Sequence, residues 1–188
     1  MEHLLRGLYL IIGSIVAAVF VGSVVDIKIA SYEEDKTFSD MREIARVDEI
    51  TKSLDCLALN IYKEAGYEPF EGKVAVAQVT MNRVEDPRFP DSVCDVVYQK
   101  NAFTARVVCQ FSWYCDSGHR TRPVNPEAYN ESYEIAKKVL LEDFRLPSLT
   151  EALYYHADYV SPNFHMRQQR ISQIGAHIFY TDGANNVL

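Results

Sequence analysis

The stretch "NIYKEAGYEPFEGKVAVAQVTMNRV", Asn60 to Val84, sets the fold and raises a question of chemistry. Apolar residues lead into it at helical spacing: Leu54, Leu57 and Ile61 lie three or four apart. The next position on that stripe is Glu64, a carboxylate where a core residue is expected. After the break "AGYEP" a second helix follows, "FEGKVAVAQVTMNRV". Its Val74, Ala75, Val76, Ala77, Val79, Met81 and Val84 cover most of the circumference, which marks it as the buried helix of the domain. A carboxyl group packed against such a neighbour loses hydration, and its pKa rises. A glutamic acid still protonated near neutral pH can donate a proton to a reacting oxygen. The bland alternative is a slight rotation that leaves Glu64 in an exposed last turn. Spacing alone allows both.

Working outward, Ser53 or Asp55 is the expected cap of the first helix, which runs to about Ala65. "EDPRFPDS" is a proline-punctuated loop, and Ser92 starts a short helix, "VCDVVYQ". The segment Lys100 to Val124 has no steady period and is expected to be mostly loop. "NPEAYNESYEIAKKVLLED" reads as a third long helix, with Asn125 capping it and Pro126 in its first turn. "ALYYHADYV" and "IGAHIFYT" are short, aromatic and β-branched, and read as small strands. The fold class is therefore α+β, mainly helical.

The chain has 188 residues, 48% of them hydrophobic, and a net charge of −7. That charge argues against nucleic acid as a partner, because phosphate contacts need clustered Lys and Arg. Gly7 to Val25 runs 19 residues without a charge, about the length that crosses a bilayer as a helix. The run is longer than a usual signal-peptide core, so an uncleaved anchor is favoured over a cleaved leader. Arg6 before it orients the N-terminus inward and the rest outward. The organisation that follows is an anchor at 1–25, a charged tether at 26–52 and a catalytic domain at 53–188. Cys56, Cys94, Cys109 and Cys115 all fall in the exported part, where disulfides form, with three pairings open. Their spacing fits no zinc knuckle, and the five histidines include no H-x-x-x-H pair, so no metal or cofactor is expected.

Several motifs together resemble the SleB-type cell wall hydrolases, the spore-cortex-lytic enzymes and their relatives, some phage-encoded. They are "IYKEAGYEPFEGKVAVAQVTMNRVEDPRFPDSVCDVVYQ", "CQFSWYCD" and "LYYHADYVSPNF…IGAHIFY", in that order from Leu54 to Tyr180. The resemblance implies a lysozyme-like domain related to lytic transglycosylases, cutting the glycan strands of peptidoglycan. It carries the catalytic role to Glu64 through the motif Y-x-E-A-x-x-E, here Tyr62, Glu64, Ala65 and Glu68. Gly66 and Tyr67 stand where the usual form has Arg-Gly, which alters the turn and leaves the acid. A hydrolytic muramidase wants a second carboxylate, and none is marked out by a comparable setting. A lytic transglycosylase needs only one. Gln110, Phe111, Ser112 and Trp113, with Tyr155, His156 and Asp158, are the candidate substrate contacts. A Cys109–Cys115 bridge, completed by Cys56–Cys94, would pin the first of these segments. No peptidoglycan-binding repeat is seen, so the apolar segment, residues 7–25, is expected to do the targeting, at the periplasmic side of an inner membrane. That arrangement leans towards a phage lysis protein.

Two other classes compete. "DCLAL" places Cys56 near a helix start, as a cysteine peptidase or amidase nucleophile with His156 or His177 as base. A non-catalytic, membrane-tethered wall-binding protein is the other.

Overall fold

The structure is a computed structural model that describes residues 2–103, 106–161 and 167–183. The chain divides into two compact units, Met1–Glu49 and Ile50–Leu188.

The first unit consists of one helix, the N-terminal part of α1 (Glu2–Ala65). Among the described residues, α1 is the one helix long and apolar enough to cross a membrane, and none of its most apolar 18-residue window is buried. Leu10 and Phe20 are 76% and 71% exposed, so their apolar surface lacks a protein cover. The sequence reading started a fresh helix at Ser53 or Asp55, after a tether. Instead both residues lie inside α1, which continues without a break. The physical reason is composition: residues 26–52 contain no Gly or Pro, and Glu, Lys, Arg, Ala and Met propagate a helix once it has begun.

The second unit contains residues 50–65 of α1, then α2 (Phe70–Glu85), α3 (Val93–Val97), α4 (Ser112–Cys115), α5 (Ser117–Arg120) and α6 (Pro126–Leu141). A hairpin of β1 (Lys100–Phe103) and β2 (Arg106–Cys109) precedes α4. A second, antiparallel sheet has the order β3 (Tyr154–Ala157), β5 (His177–Asp182), β4 (Gln168–Ile174). The caps follow the sequence. Ser92 Oγ accepts from Asp95 N at the start of α3, and Asn125 Oδ1 accepts from Ala128 N at the start of α6.

Helix α2 is the centre. Its residues Gly72 to Met81 and Arg83 are all buried. One side joins Leu54, Leu57, Ile61, Val96, Trp113, Ile135 and Val139 in the larger core, through Val74, Ala77 and Met81. Its opposite side, Ala75 and Val79, meets Leu149, Ala152 and Phe179 in a smaller one. A helix enclosed this way cannot send its polar side chains to water, so each finds a partner inside. Gln78 brackets Leu146, donating to its carbonyl at 3.2 Å and accepting from its N–H at 2.7 Å. Asn82 Nδ2 donates to the carbonyls of Leu149 and Ala152 at 2.9 and 2.8 Å. Arg83 Nε donates to Leu153 O at 2.9 Å. These bonds fix the backbone that leads into β3.

One further expectation needs correction, and one strand lies where the sequence marks none. Lys100 to Val124 is not mostly loop; it holds the hairpin and the two short helices α4 and α5. Elements of four residues are too brief to leave a period, and their order comes from a disulfide and from Asp116, which caps α5. Strand β4 was not anticipated: Gln168, Gln169 and Arg170 are polar, and it lies at a sheet edge. The "PNF" of the third motif, with His165, lies outside the described residues.

The disulfides are Cys56–Cys94 and Cys109–Cys115, separated by 38 and 6 residues. Loop-closure entropy makes the long bridge worth about 4 kcal/mol and the short one about 2 kcal/mol. Urea unfolding of the two double Cys→Ala variants is expected to lose stability in that order, the Cys56–Cys94 pair costing more.

Candidate active site

Helix α1 ends at Ala65, and its last turn carries Glu64 into the wall of a cleft of about 660 Å³. The floor and sides come from five places in sequence. Arg83 arrives from α2, and Gln110, Phe111, Ser112 and Trp113 from the segment after β2. His119 arrives from α5, and Tyr154, Tyr155 and His156 from β3, with His177 from β5. Glu64 is the one carboxylate among the described residues that line this cleft.

The residue as a whole is half-buried, but its carboxyl end is largely withdrawn from water. Burial raises its pKa above the ordinary range; the hydrogen bond from Tyr155 and the charges of Arg83 and His119 oppose the shift without cancelling it. Tyr155 Oη donates to Glu64 Oε2 at 3.1 Å. That phenol is itself held well above its usual pKa, chiefly by burial and then by the neighbouring Glu64 charge, so it stays a donor. Its ring is gripped by Phe179 at 5.6 Å and edge-on by His177 at 5.3 Å. Burial also pushes the His177 pKa down, so its ring stays neutral through the physiological range.

The second glutamate of the motif does something else. Glu68 Oε2 accepts from Ala176 N at 3.1 Å, in the turn between β4 and β5. Gly175 in that turn has φ +57°, and a Cβ there would collide with Glu68 Oε2. Glu68 is a clamp on a turn, and Gly175 is the residue that lets it close. Tyr62, at the start of the motif, accepts from Asn125 N at 2.9 Å and so braces the beginning of α6.

Of the residues singled out in sequence, Glu64, Gln110, Phe111, Ser112, Trp113, Tyr155 and His156 all line the cleft. Asp158 does not: it is exposed beyond the end of β3, its N–H bonded to Ala176 O at 2.7 Å. Trp113 is 4% exposed and donates from Nε1 to Asn60 Oδ1 at 2.9 Å. It anchors the core behind the wall and is no free platform for a sugar ring. His156 stacks on Tyr180 and bonds its hydroxyl at 2.9 Å through Nε2, with Nδ1 on Ala157 O. Cys56 is 6% exposed and bridged to Cys94, so it offers no thiol, and the cysteine-nucleophile reading falls.

Arg83, Lys63, His119, Tyr154, Tyr159 and Val160 also line the cleft, without having been assigned to it from sequence, as does His177, which the sequence offered only as the base of a cysteine peptidase. Arg83 carried a usable signal. It follows Val76, Val79 and Thr80 on one helical face, a charge on a buried stripe just as Glu64 is. Tyr159 is 85% exposed at the mouth. Lys63 reaches back to the carbonyls of His119 and Arg122, at 2.8 and 3.3 Å, and holds the α5 segment in place.

Comparison with known proteins gives a consistent picture. The cell wall hydrolase family matches residues 67–180, beginning just past Glu64. A spore cortex-lytic enzyme of Bacillus subtilis (strain 168) is 31% identical over 125 residues, which are 65% of this chain and 35% of that protein. One from Oceanobacillus iheyensis is 31% identical over 126 residues, 67% of this chain and 40% of that protein. The chain thus spans between 34% and 43% of the length of the curated relatives it matches. The crystal structure of the catalytic domain of the Bacillus cereus SleB protein superimposes with a TM-score of 0.50 at 27% identity, over 70% of this chain and 91% of that one.

The carboxyl environment has a measurable consequence for stability. Because the folded-state pKa of Glu64 is raised, the stability linked to its proton is fully present below the unfolded pKa and is lost as pH rises through the folded one. A Glu64→Gln variant lacks that loss. Urea unfolding across a pH series is expected to show its stability rising relative to the parent chain over that window, whereas Glu68→Gln loses stability by about 1 kcal/mol through its weakened turn bond.

Proposed function

The chain belongs to the cell wall hydrolase family, and from that premise we propose that its second unit cleaves the glycan strands of peptidoglycan between N-acetylmuramic acid and N-acetylglucosamine. Glu64 is the general acid and base. The observation that carries this reading is a lone, desolvated carboxyl group, hydrogen-bonded to Tyr155, in the wall of a cleft large enough for sugar rings. Its role rests on that geometry, since the family match begins after it.

The reaction runs in two proton transfers. Protonated Glu64 gives its hydrogen to the bridging O4 as the C1–O4 bond breaks, and positive charge spreads over C1 and the ring oxygen of the muramic acid. Tyr155 keeps its own proton and orients the carboxyl through Oε2. Hydrolysis with a second carboxylate would need an Asp or Glu facing the other side of the ring, about 5 to 9.5 Å away. No such group lines the cleft among the described residues. The attacking group is therefore the substrate's own C6 hydroxyl. Its oxygen bonds to C1, its proton passes to the Glu64 carboxylate, and a 1,6-anhydro end remains. One side chain serves both halves.

The exposed apolar part of α1 supports membrane attachment through residues 7–25, with Arg6 on the inner side and the second unit outside, on the periplasmic face of an inner membrane. Two disulfides in that unit fit an oxidising compartment.

Mass spectrometry of fragments released from purified sacculi by the full chain in detergent is expected to find 1,6-anhydro ends. Reducing ends would mean that water attacks, and free peptides with intact glycan would overturn the glycosidase reading. Glu64→Gln is expected to lower release by about 10²–10⁴-fold. Deleting residues 7–25 is expected to move the protein from the membrane pellet to the soluble fraction on ultracentrifugation.

A further inference from the structure

The cleft that Glu64 lines is also lined by a cation that the two proton transfers do not use. Arg83 is 3% exposed, in the wall of the cleft. Its partners are neutral. Nε donates to the Leu153 carbonyl at 2.9 Å. With the Gln110 amide turned so that its oxygen faces the guanidinium, Nη1 and Nη2 both donate to it, at 3.2 and 3.1 Å. The guanidinium carbon lies 5.2 Å from the ring centre of Phe111 and 5.6 Å from that of Phe89. No carboxylate stands within 4 Å of Arg83 among the described residues, although the protein pairs Lys73, equally buried, with Glu131 at 2.7 Å.

A buried cation without a counter-ion is costly, and aromatic faces and neutral acceptors offset only part of that cost. Burial accordingly draws the Arg83 pKa down to about 10, and Glu64 is the carboxylate that acts against this shift. The two groups influence each other in the expected directions, Arg83 favouring the ionised form of Glu64. The acid role requires Glu64 to start protonated and neutral, and in that state the charge on Arg83 has no anion to answer it. Once Glu64 has given its proton to the leaving oxygen, the anion exists.

We propose that Arg83 is a positioning residue whose guanidinium serves as the standing counter-charge for the Glu64 carboxylate, stabilising the state formed after the first proton transfer, and that Gln110 holds it in place. This rests on the assignment of Glu64 as the acid. The other titratable groups facing Glu64 are Tyr155 from β3 and His119 from α5, with Lys63 adjacent on α1; those facing Arg83 are Tyr154 and Tyr155. Gln110, which sequence suggested as a sugar contact, becomes instead the support that aims the guanidinium while leaving its charge unneutralised.

The test titrates Glu64 directly. Carbon-13 NMR of glutamate-labelled full chain in detergent, with the Glu64 signal assigned by its absence in Glu64→Gln, is recorded without substrate for the parent chain, Arg83→Lys and Arg83→Met. The Met variant is expected to lower the Glu64 ionisation constant about tenfold, one pKa unit. The Lys variant, which keeps a charge, is expected to restore most of that. Activity on sacculi follows in parallel: the high-pH limb, which tracks loss of the Glu64 proton, moves to higher pH in Arg83→Met, and the plateau rate falls. Should Arg83→Met not fold, the double variant Arg83→Met/Gln110→Leu replaces the polar pair with apolar groups of similar length, and the same shift is expected. A Glu64 titration unchanged by removal of the charge overturns the proposal. If Glu64→Gln remained active, the glycosidase reading would fall separately, because the titration does not depend on turnover.

Discussion

Helix α2 is closed off from water on nearly every side, and the rest of the second unit is organised by that constraint. An apolar side chain gains from such enclosure, but an amide or guanidinium there must find a partner or cost about 1–3 kcal/mol. Gln78, Asn82 and Arg83 meet the requirement in the same way, by binding the main chain of Leu146, Leu149, Ala152 and Leu153. The segment they hold has little regular structure of its own, a single 3₁₀ turn at Pro147–Leu149. Its path is dictated by the helix. Where it leaves that grip it becomes β3, and the second residue of β3 is Tyr155, the hydrogen-bond partner of Glu64. The polar groups of the core thus lead without interruption to the Glu64 carboxyl.

The same enclosure sets the chemistry. Withdrawing Glu64 from water favours its neutral form, while the nearby guanidinium and the phenol donor favour the ion. Neither influence alone suits the role proposed for it, which is to give up a proton and take one back. A carboxyl governed by desolvation alone would hold its proton too firmly, and one governed by Arg83 alone would rest as a spectator anion. Their opposition inside one small cleft leaves a group able to work in both directions. The aromatic residues around it act mainly as insulation: Phe111, Trp113 and Phe179 are each less than 5% exposed and keep solvent from screening the charges.

Much of this could be read from the residues. The interruption of an apolar stripe at Glu64, the caps at Ser92 and Asn125 and the all-round apolar character of α2 are local patterns, and local patterns survive in sequence. What escaped has physical reasons. Arg83 gave the same kind of signal as Glu64, but a basic residue near a helix end is usually solvated and passes without remark. Strand β4 is polar because it borders its sheet, so alternation is weak. Helices α4 and α5 are defined by a bridge and a cap rather than by periodicity. The role of Glu68 depends on Ala176, 108 residues away in sequence, a contact that spacing cannot reveal.

The clamp between Glu68 and the β4–β5 turn bears on how such a sequence can drift. Glu68 is hemmed in by two glycines: a Cβ at Gly72 would come within 2.8 Å of its Cβ, and one at Gly175 would overlap its carboxylate. None of the three positions can accept a new side chain independently. Related chains in which position 175 has acquired bulk should therefore carry a shorter residue at 68, and the three sites are expected to vary together or not at all.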